Sequence, residues 1–328
     1  MIPNPRFARC ASRVALTIAA LTCGCVGSAR LDDSGESESE SESESETDTQ
    51  WAGDCANLPM PEVHQLAGPI ASADVAFDDQ GNLVGGNTQD IFKTSTATGK
   101  PALWVPGVAN RSAIRHLSDG RIAVVQETFR RVLALNPDGS SELLASNLGY
   151  PFGLIEGLDG AIYIGDDTRV VRIDPEAGVV ATWLETPDFV SRWMTFDLDY
   201  EGMFIGGRTN TIYRVPVSAA GEAGAPVVWG TLPVPASDDG KTLVDGLGVD
   251  ACGNVYAAEF YSHSLYRIPV GGGEGERLVQ WSELEYGHGL QWGSGMGDWS
   301  ETSLFLPQPY NDYNVARVEI GVPSKPLP

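Results

Sequence analysis

Positive charge is scarce in this chain. Twenty-one Lys and Arg face 44 Asp and Glu, a formal net charge of −23, and a surface of that sign repels nucleic acid and anionic lipid. Long apolar runs are missing too. The stretch "VALTIAALT" near the amino terminus falls well short of the roughly 20 residues a spanning helix needs, and no other segment qualifies. Past that stretch there is no sustained 3.6-residue period, so a helical core is not expected. No HExxH, Gly-x-Ser-x-Gly or phosphate-loop motif is present. "DLDYEG" at Asp197–Gly202 starts like a calcium loop, but its twelfth position is Arg208 where such a loop needs a bidentate Glu. It reads as a strand turn. "GGGEGE" after "RIPV" reads as a hairpin turn, and His64, His116 and His263 as structural or solvated.

What is there begins with an address. "MIPNPRFARCASR" carries Arg6, Arg9 and Arg13, then the short apolar core, then "CGCV", the order of a secretory signal over residues 1–25. Its end resembles a bacterial lipoprotein processing site, with Cys25 as the lipidated residue and Cys23 as the alternative; plain cleavage and secretion also remains open. Residues 26–50 include "LDDSGESESESESESETDTQ". Such like charges repel and bury nothing, so the segment is expected to be a disordered tether. An outer-membrane or cell-surface lipoprotein is therefore expected, or else a secreted or periplasmic protein, with membrane contact only through the lipid. The rest, residues 51–328, holds 35 acids against 17 bases and is acidic in its own right.

Of five cysteines, only Cys55 and Cys252 lie in that remainder. Two cysteines in an exported domain predict one disulfide.

From Trp51 onward a unit recurs: a short apolar strand, an Asp/Gly/Asn turn and three further strands. Its starts read "DVAFDDQGNLVGG", "AIRHLSDGRIAVV", "GLIEGLDGAIYIG", "WMTFDLDYEGMFIGG", "GLGVDACGNVYAAEF" and "GLQWGSGMGDWSETSLFLPQ". Equivalent positions Asp74, Ala113, Gly153, Trp193, Gly246 and Gly289 are spaced by 39, 40, 40, 53 and 43 residues. Four strands every 40 residues or so is the pattern of a β-propeller, here with six blades. The long fourth unit carries the insertion "SAAGEAGAPVVWGTLPVPASDDGK". The sixth lacks a last strand, because "PSKPLP" cannot continue a ladder. Glu62–Ala67 is expected to supply that strand, which closes the ring and leaves no open edge. The chain is expected as a monomer.

"VDGLGVDACGNVYAAEF" and "YPFGLIEGLDGAIYIGDD" resemble the gluconolactonase / senescence-marker-protein family of six-bladed propellers, over about residues 60 to 328. The resemblance implies a central channel where a glutamate, asparagines and an aspartate at the starts of the first strands hold a divalent metal that opens sugar lactones. Here those positions are Ala73, Phe152, Arg192 and Asp245. Asp245 alone keeps the family's ligand; Asp74, next to Ala73, could replace the glutamate missing there only if the strand shifts. Glu259 and His288 are additional polar groups expected near the channel, and His288-Gly289 also resembles the "HG" pairs of propeller lyases acting on cyclic peptide antibiotics.

Three readings of Asp245 stay open. It pairs with Arg192 in a plugged channel; or it shares a ligand pocket with Phe152, Arg192, Glu259 and His288; or it is the metal and catalytic residue of a hydrolase using calcium or zinc. One dependable carboxylate is few for a hard divalent cation. The favoured reading is a binding propeller for a small polar molecule or a protein, with no firmly implied cofactor and a degenerate metal site. The alternative is a divergent metal-dependent lactone or ester hydrolase.

Overall fold

The computed structural model describes residues 51, 53–95, 99–234, 241–282, 285 and 287–326. The leader with Cys25, the alternative Cys23 and the acidic tether lie outside them. The fold is all-β, with six sheets, antiparallel except for one short added strand, arranged as the blades of a propeller. The innermost strands, in blade order, are Ala76–Phe77, Ile114–His116, Pro151–Glu156, Trp193–Phe196, Val244–Val249 and Gln291–Trp292. The face where these strands begin is called the entry face below, and the face where they end the exit face.

The turn after the first strand shows why each unit folds locally. In blade 1, Asp78 Oδ1 accepts from the backbone N–H of Gln80 (3.0 Å) and of Asn82 (2.8 Å), and Gly81 takes φ +73°. In blade 5, Asp250 Oδ1 does the same for Cys252 (2.9 Å) and Asn254 (2.8 Å), with Gly253 at φ +81°. A side-chain oxygen standing in for a backbone acceptor, followed by a left-handed glycine, makes a tight reversal. Cys252 occupies the position of Gln80, whose side chain the turn does not use. It is therefore free to reach Cys55, to which it is disulfide-bonded with Cα atoms 5.6 Å apart.

Closure follows the expected course, with the added strand observed at Glu62–Leu66. It pairs antiparallel with Asn314–Glu319, Glu62 opposite Glu319 and Leu66 opposite Val315. The first and last parts of the folded chain thus share blade 6. The fourth unit differs from its expected form. Its outer strand Val227–Thr231 carries a further short strand, Gly273–Glu274, paired parallel to it. The glycine-rich stretch taken for a simple hairpin turn therefore also ties blade 5 to blade 4, since Gly272 at φ +80° lets the backbone reverse there.

Burial between blades supplies the core. One cluster joins blades 2 to 5 through Val125, Leu154, Ile164, Trp193, Val244, Leu247 and Tyr266, all at most 2% exposed. Backbone hydrogen bonds then stitch the starts of neighbouring inner strands: Ala113 N–H to Phe152 O (3.0 Å), Gly153 N–H to Arg192 O (2.7 Å) and Gly289 N–H to Ala73 O (2.8 Å). A Cβ on Gly153 would lie 2.4 Å from that Arg192 oxygen, so only glycine permits the approach.

Candidate functional site at the channel entry

Asp245 is fully buried at the entry face. Its Oδ1 accepts from Arg192 Nε at 2.6 Å and from Trp193 Nε1 at 2.8 Å, and its Oδ2 lies 2.7 Å from His288 Nδ1. Burial works against the carboxylate charge, but Arg192 and then His288 outweigh it and hold the acid well below the usual carboxylate range. Arg192 is clamped from its other side, with its guanidinium carbon 3.1 Å from the centroid of the Phe152 ring, a cation–π arrangement. Phe152 itself is only 5% exposed. Arg192 keeps 10% of its side chain exposed and so reaches the mouth, whereas the His288 Nδ1 is held by Asp245 and its Nε2 is buried. Around them stand Phe260 and Tyr310, with ring centroids 5.0 and 6.1 Å from that of His288. Tyr150, Tyr261 and Phe129 lie exposed on loops of the same face.

Glu259 requires a correction. It is 1% exposed, and its two oxygens accept from the backbone N–H of Leu243 (2.6 Å) and Ser262 (2.5 Å). Both oxygens are spent on the chain's own backbone, so Glu259 fastens the loops of the mouth instead of facing the channel.

Deeper in the channel sits a second pair that sequence reading missed. Arg115 donates from Nη1 to Asp74 Oδ2, which also accepts from the Ile114 N–H at 3.1 Å. Gln291, with its amide oxygen turned toward Arg115, accepts from Nε at 3.0 Å and Nη1 at 3.2 Å. Burial pushes the Asp74 carboxyl up to about 6, with Arg115 offsetting part of that rise. The sequence signal for Arg115 was its place one residue after Ile114 in an inner strand, but alternation alone does not show which face looks into a channel.

Of the four positions corresponding to the family's ligands, Ala73 and Phe152 offer no donor, Arg192 is a cation, and Asp245 is already neutralised. The residues do not fit a divalent ion there. Among the described residues, Glu62, His64 and Glu319 do bring ligand atoms within 4.8 Å of one another. That cluster spans the closing strand of blade 6 and its partner Asn314–Glu319, and Arg317 Nη2 already occupies Glu319 Oε1 at 2.8 Å.

Arg115→Met should cost about 2 kcal/mol at pH 7, because Asp74 can neutralise itself by taking up a proton at about 1.4 kcal/mol per pH unit. Its carboxyl then titrates above the wild-type value. The folded variant binds a proton the unfolded chain lacks, and the deficit shrinks as the pH falls toward 6. Urea melts at several pH values would show this; a deficit that grows on acidification would contradict the pairing.

Neither a protein-family profile nor a curated protein sequence matches the chain. Solved structures do. A gluconolactonase from Xanthomonas campestris is 14% identical, covering 80% of this chain and 90% of its own, with a TM-score of 0.63. A luciferin-regenerating enzyme is 16% identical, over 80% and 97% of the two chains, with a TM-score of 0.64. A calcium-binding regucalcin from Agrobacterium tumefaciens is 14% identical, over 80% and 95%, with a TM-score of 0.61. In fold, then, this chain is a six-bladed β-propeller of the shape shared by gluconolactonase, luciferin-regenerating enzyme and regucalcin.

Proposed function

We propose that this is an exported binding propeller whose entry-face mouth holds a small polar molecule, and that the divalent-metal site of its lactone-opening relatives has been replaced by a fixed salt bridge. The observation that carries the reading is the pairing of Asp245 with Arg192 and His288. A carboxylate held ionised between a guanidinium and an imidazole is a weak general base and a poor metal ligand, since any incoming cation must displace one already in place. What the mouth offers instead is the Arg192 guanidinium within an aromatic collar, which suits a hydroxylated or carbonyl-bearing molecule. The leader ending at Cys25 supports a lipid-anchored chain, with the acidic tether spacing the propeller from the membrane.

A metal-dependent lactone or ester hydrolase is the second reading, favoured by the likeness to the gluconolactonase. Elemental analysis of purified protein, paired with a lactone-hydrolysis screen in added calcium, zinc or manganese, separates the two. The expected result is substoichiometric metal and turnover near background, unchanged in Asp245→Asn. Stoichiometric metal with turnover abolished by that substitution would establish the hydrolase.

A further inference from the structure

The channel opens at its exit face into a cavity of about 400 Å³. Arg115 and Gln291, bound to each other, belong to its lining, and Phe77, Met194, Leu247 and Leu290 give it apolar walls. Lys325, from the carboxy-terminal tail, also lines it. The tail is fastened where the inner strand of blade 5 ends: Lys325 N–H donates to Val249 O (2.9 Å), Ala251 N–H donates to Pro323 O (2.9 Å), and Ser324 bridges to Asp250. Tyr200 holds the other side, its hydroxyl donating to Pro326 O at 3.2 Å and its ring 3.3 Å from Lys325 Nζ. Lys325 is 6% exposed. Among the described residues its amine has neither an ion-pair nor a hydrogen-bond partner. Lysine is almost never so buried without a pair.

We propose that this cavity captures an uncharged aldehyde or ketone with an apolar or aromatic tail, which condenses reversibly with the Lys325 amine. The nitrogen lone pair adds to the carbonyl carbon, and the resulting carbinolamine loses its hydroxyl as water, forming the carbon–nitrogen double bond. Both amine hydrogens leave, one on the carbinolamine oxygen and one as the proton that completes the water, so no oxidant or reductant is consumed. Burial supports the chemistry by pushing the amine down to about 7, against the opposing pull of Asp197, so that much of it is the free base at neutral pH. Asp78, Asp79 and Glu156 share the cavity lining with His116, and this acidic rim disfavours an anionic ligand while leaving a neutral carbonyl unopposed.

The chain has four lysines, Lys93, Lys100, Lys241 and Lys325, and Lys100 and Lys241 are exposed, so the test has internal references. The full chain is treated with benzaldehyde and cyanoborohydride at about pH 7, and the benzylated lysines are located by peptide mapping. The neutral fraction alone favours an amine titrating near 7 by about a thousandfold over an ordinary lysine, and its weaker intrinsic nucleophilicity takes back part of that. Lys325 is expected to label at least about tenfold faster than Lys100 and Lys241. Urea should abolish the preference, excess benzyl alcohol should slow it, and Lys325→Arg, shown folded by its thermal melt, should lose the fast phase alone. Labelling of Lys325 no faster than the exposed lysines, as for a merely structural buried amine, would overturn the proposal. A preference that survives urea would also overturn it. Either failure leaves the entry-face reading intact, because that site lies at the channel's other end.

Discussion

Asp245→Asn should cost the folded protein about 3–5 kcal/mol, the range expected when one partner of a buried ion pair is removed and the other charge is left behind. The size follows from what Asp245 serves. Among the described residues it is the sole carboxylate paired with Arg192, itself only 8% exposed, and it also accepts from Trp193 and contacts His288. Asparagine keeps the shape and can still accept one hydrogen bond, but it cannot balance the guanidinium. The pH dependence has a definite sign. Asp245 titrates below its unfolded value, so its stabilisation is complete above about pH 4 and is lost as the pH falls through the folded-state value. Wild type and variant should therefore converge in strong acid. Chemical denaturation at pH 7 and in acid measures both effects. Arg192→Met combined with Asp245→Asn should recover much of the loss, since the double variant buries no unbalanced charge. A neutral single substitution would mean that the pair contributes nothing to closing the channel.

The second large effect concerns the bond between Cys55 and Cys252, which are 197 residues apart in sequence. In the chain-entropy account, a loop of that length constrains the unfolded chain by about 5 kcal/mol. Replacing both cysteines with serine should cost about 3–5 kcal/mol and lower the melting temperature by about 10 °C. The effect also has a place in the fold. Trp51 and Leu58, which flank Cys55, pack with Ala251 and Cys252 on the core between blades 5 and 6, and the closing strand follows at Glu62–Leu66. Hydrogen exchange should therefore quicken first along that strand and its partner, Asn314–Glu319. Thermal melts with and without reductant provide the simple version, and identical curves would show that the crosslink constrains nothing the fold needs.

Sequence by itself determined the architecture. A four-strand unit repeated six times can bury its apolar faces only by packing blade on blade in a ring. A last unit without a fourth strand, together with a leading "EVHQLAGP" that has no unit of its own, left one economical closure. The cysteine pairing was equally legible, because the folded region offers just two. The juxtaposition of Arg192 and Asp245 was readable too, since both stand at equivalent positions in adjacent repeats.

Tertiary structure alone decided which side chains enter the channel. In a regular strand the side chains alternate, but the entry ends of blades 3 and 5 carry register shifts between Pro151 and Leu154 and between Val244 and Gly246. A bulge adds a residue and re-aims its neighbours, so Phe152 and Asp245 point where simple alternation would not send them. Glu259 has the composition of a ligand, yet it turns onto two backbone N–H groups that only the folded loops bring within reach. Arg115 and Asp74 are 41 residues apart in sequence, and no local pattern links them. Lys325 lies in a proline-flanked tail that reads as a trailing end. It becomes a buried amine because Val249, Asp250 and Tyr200, distant in sequence, fasten that tail across the exit of the channel.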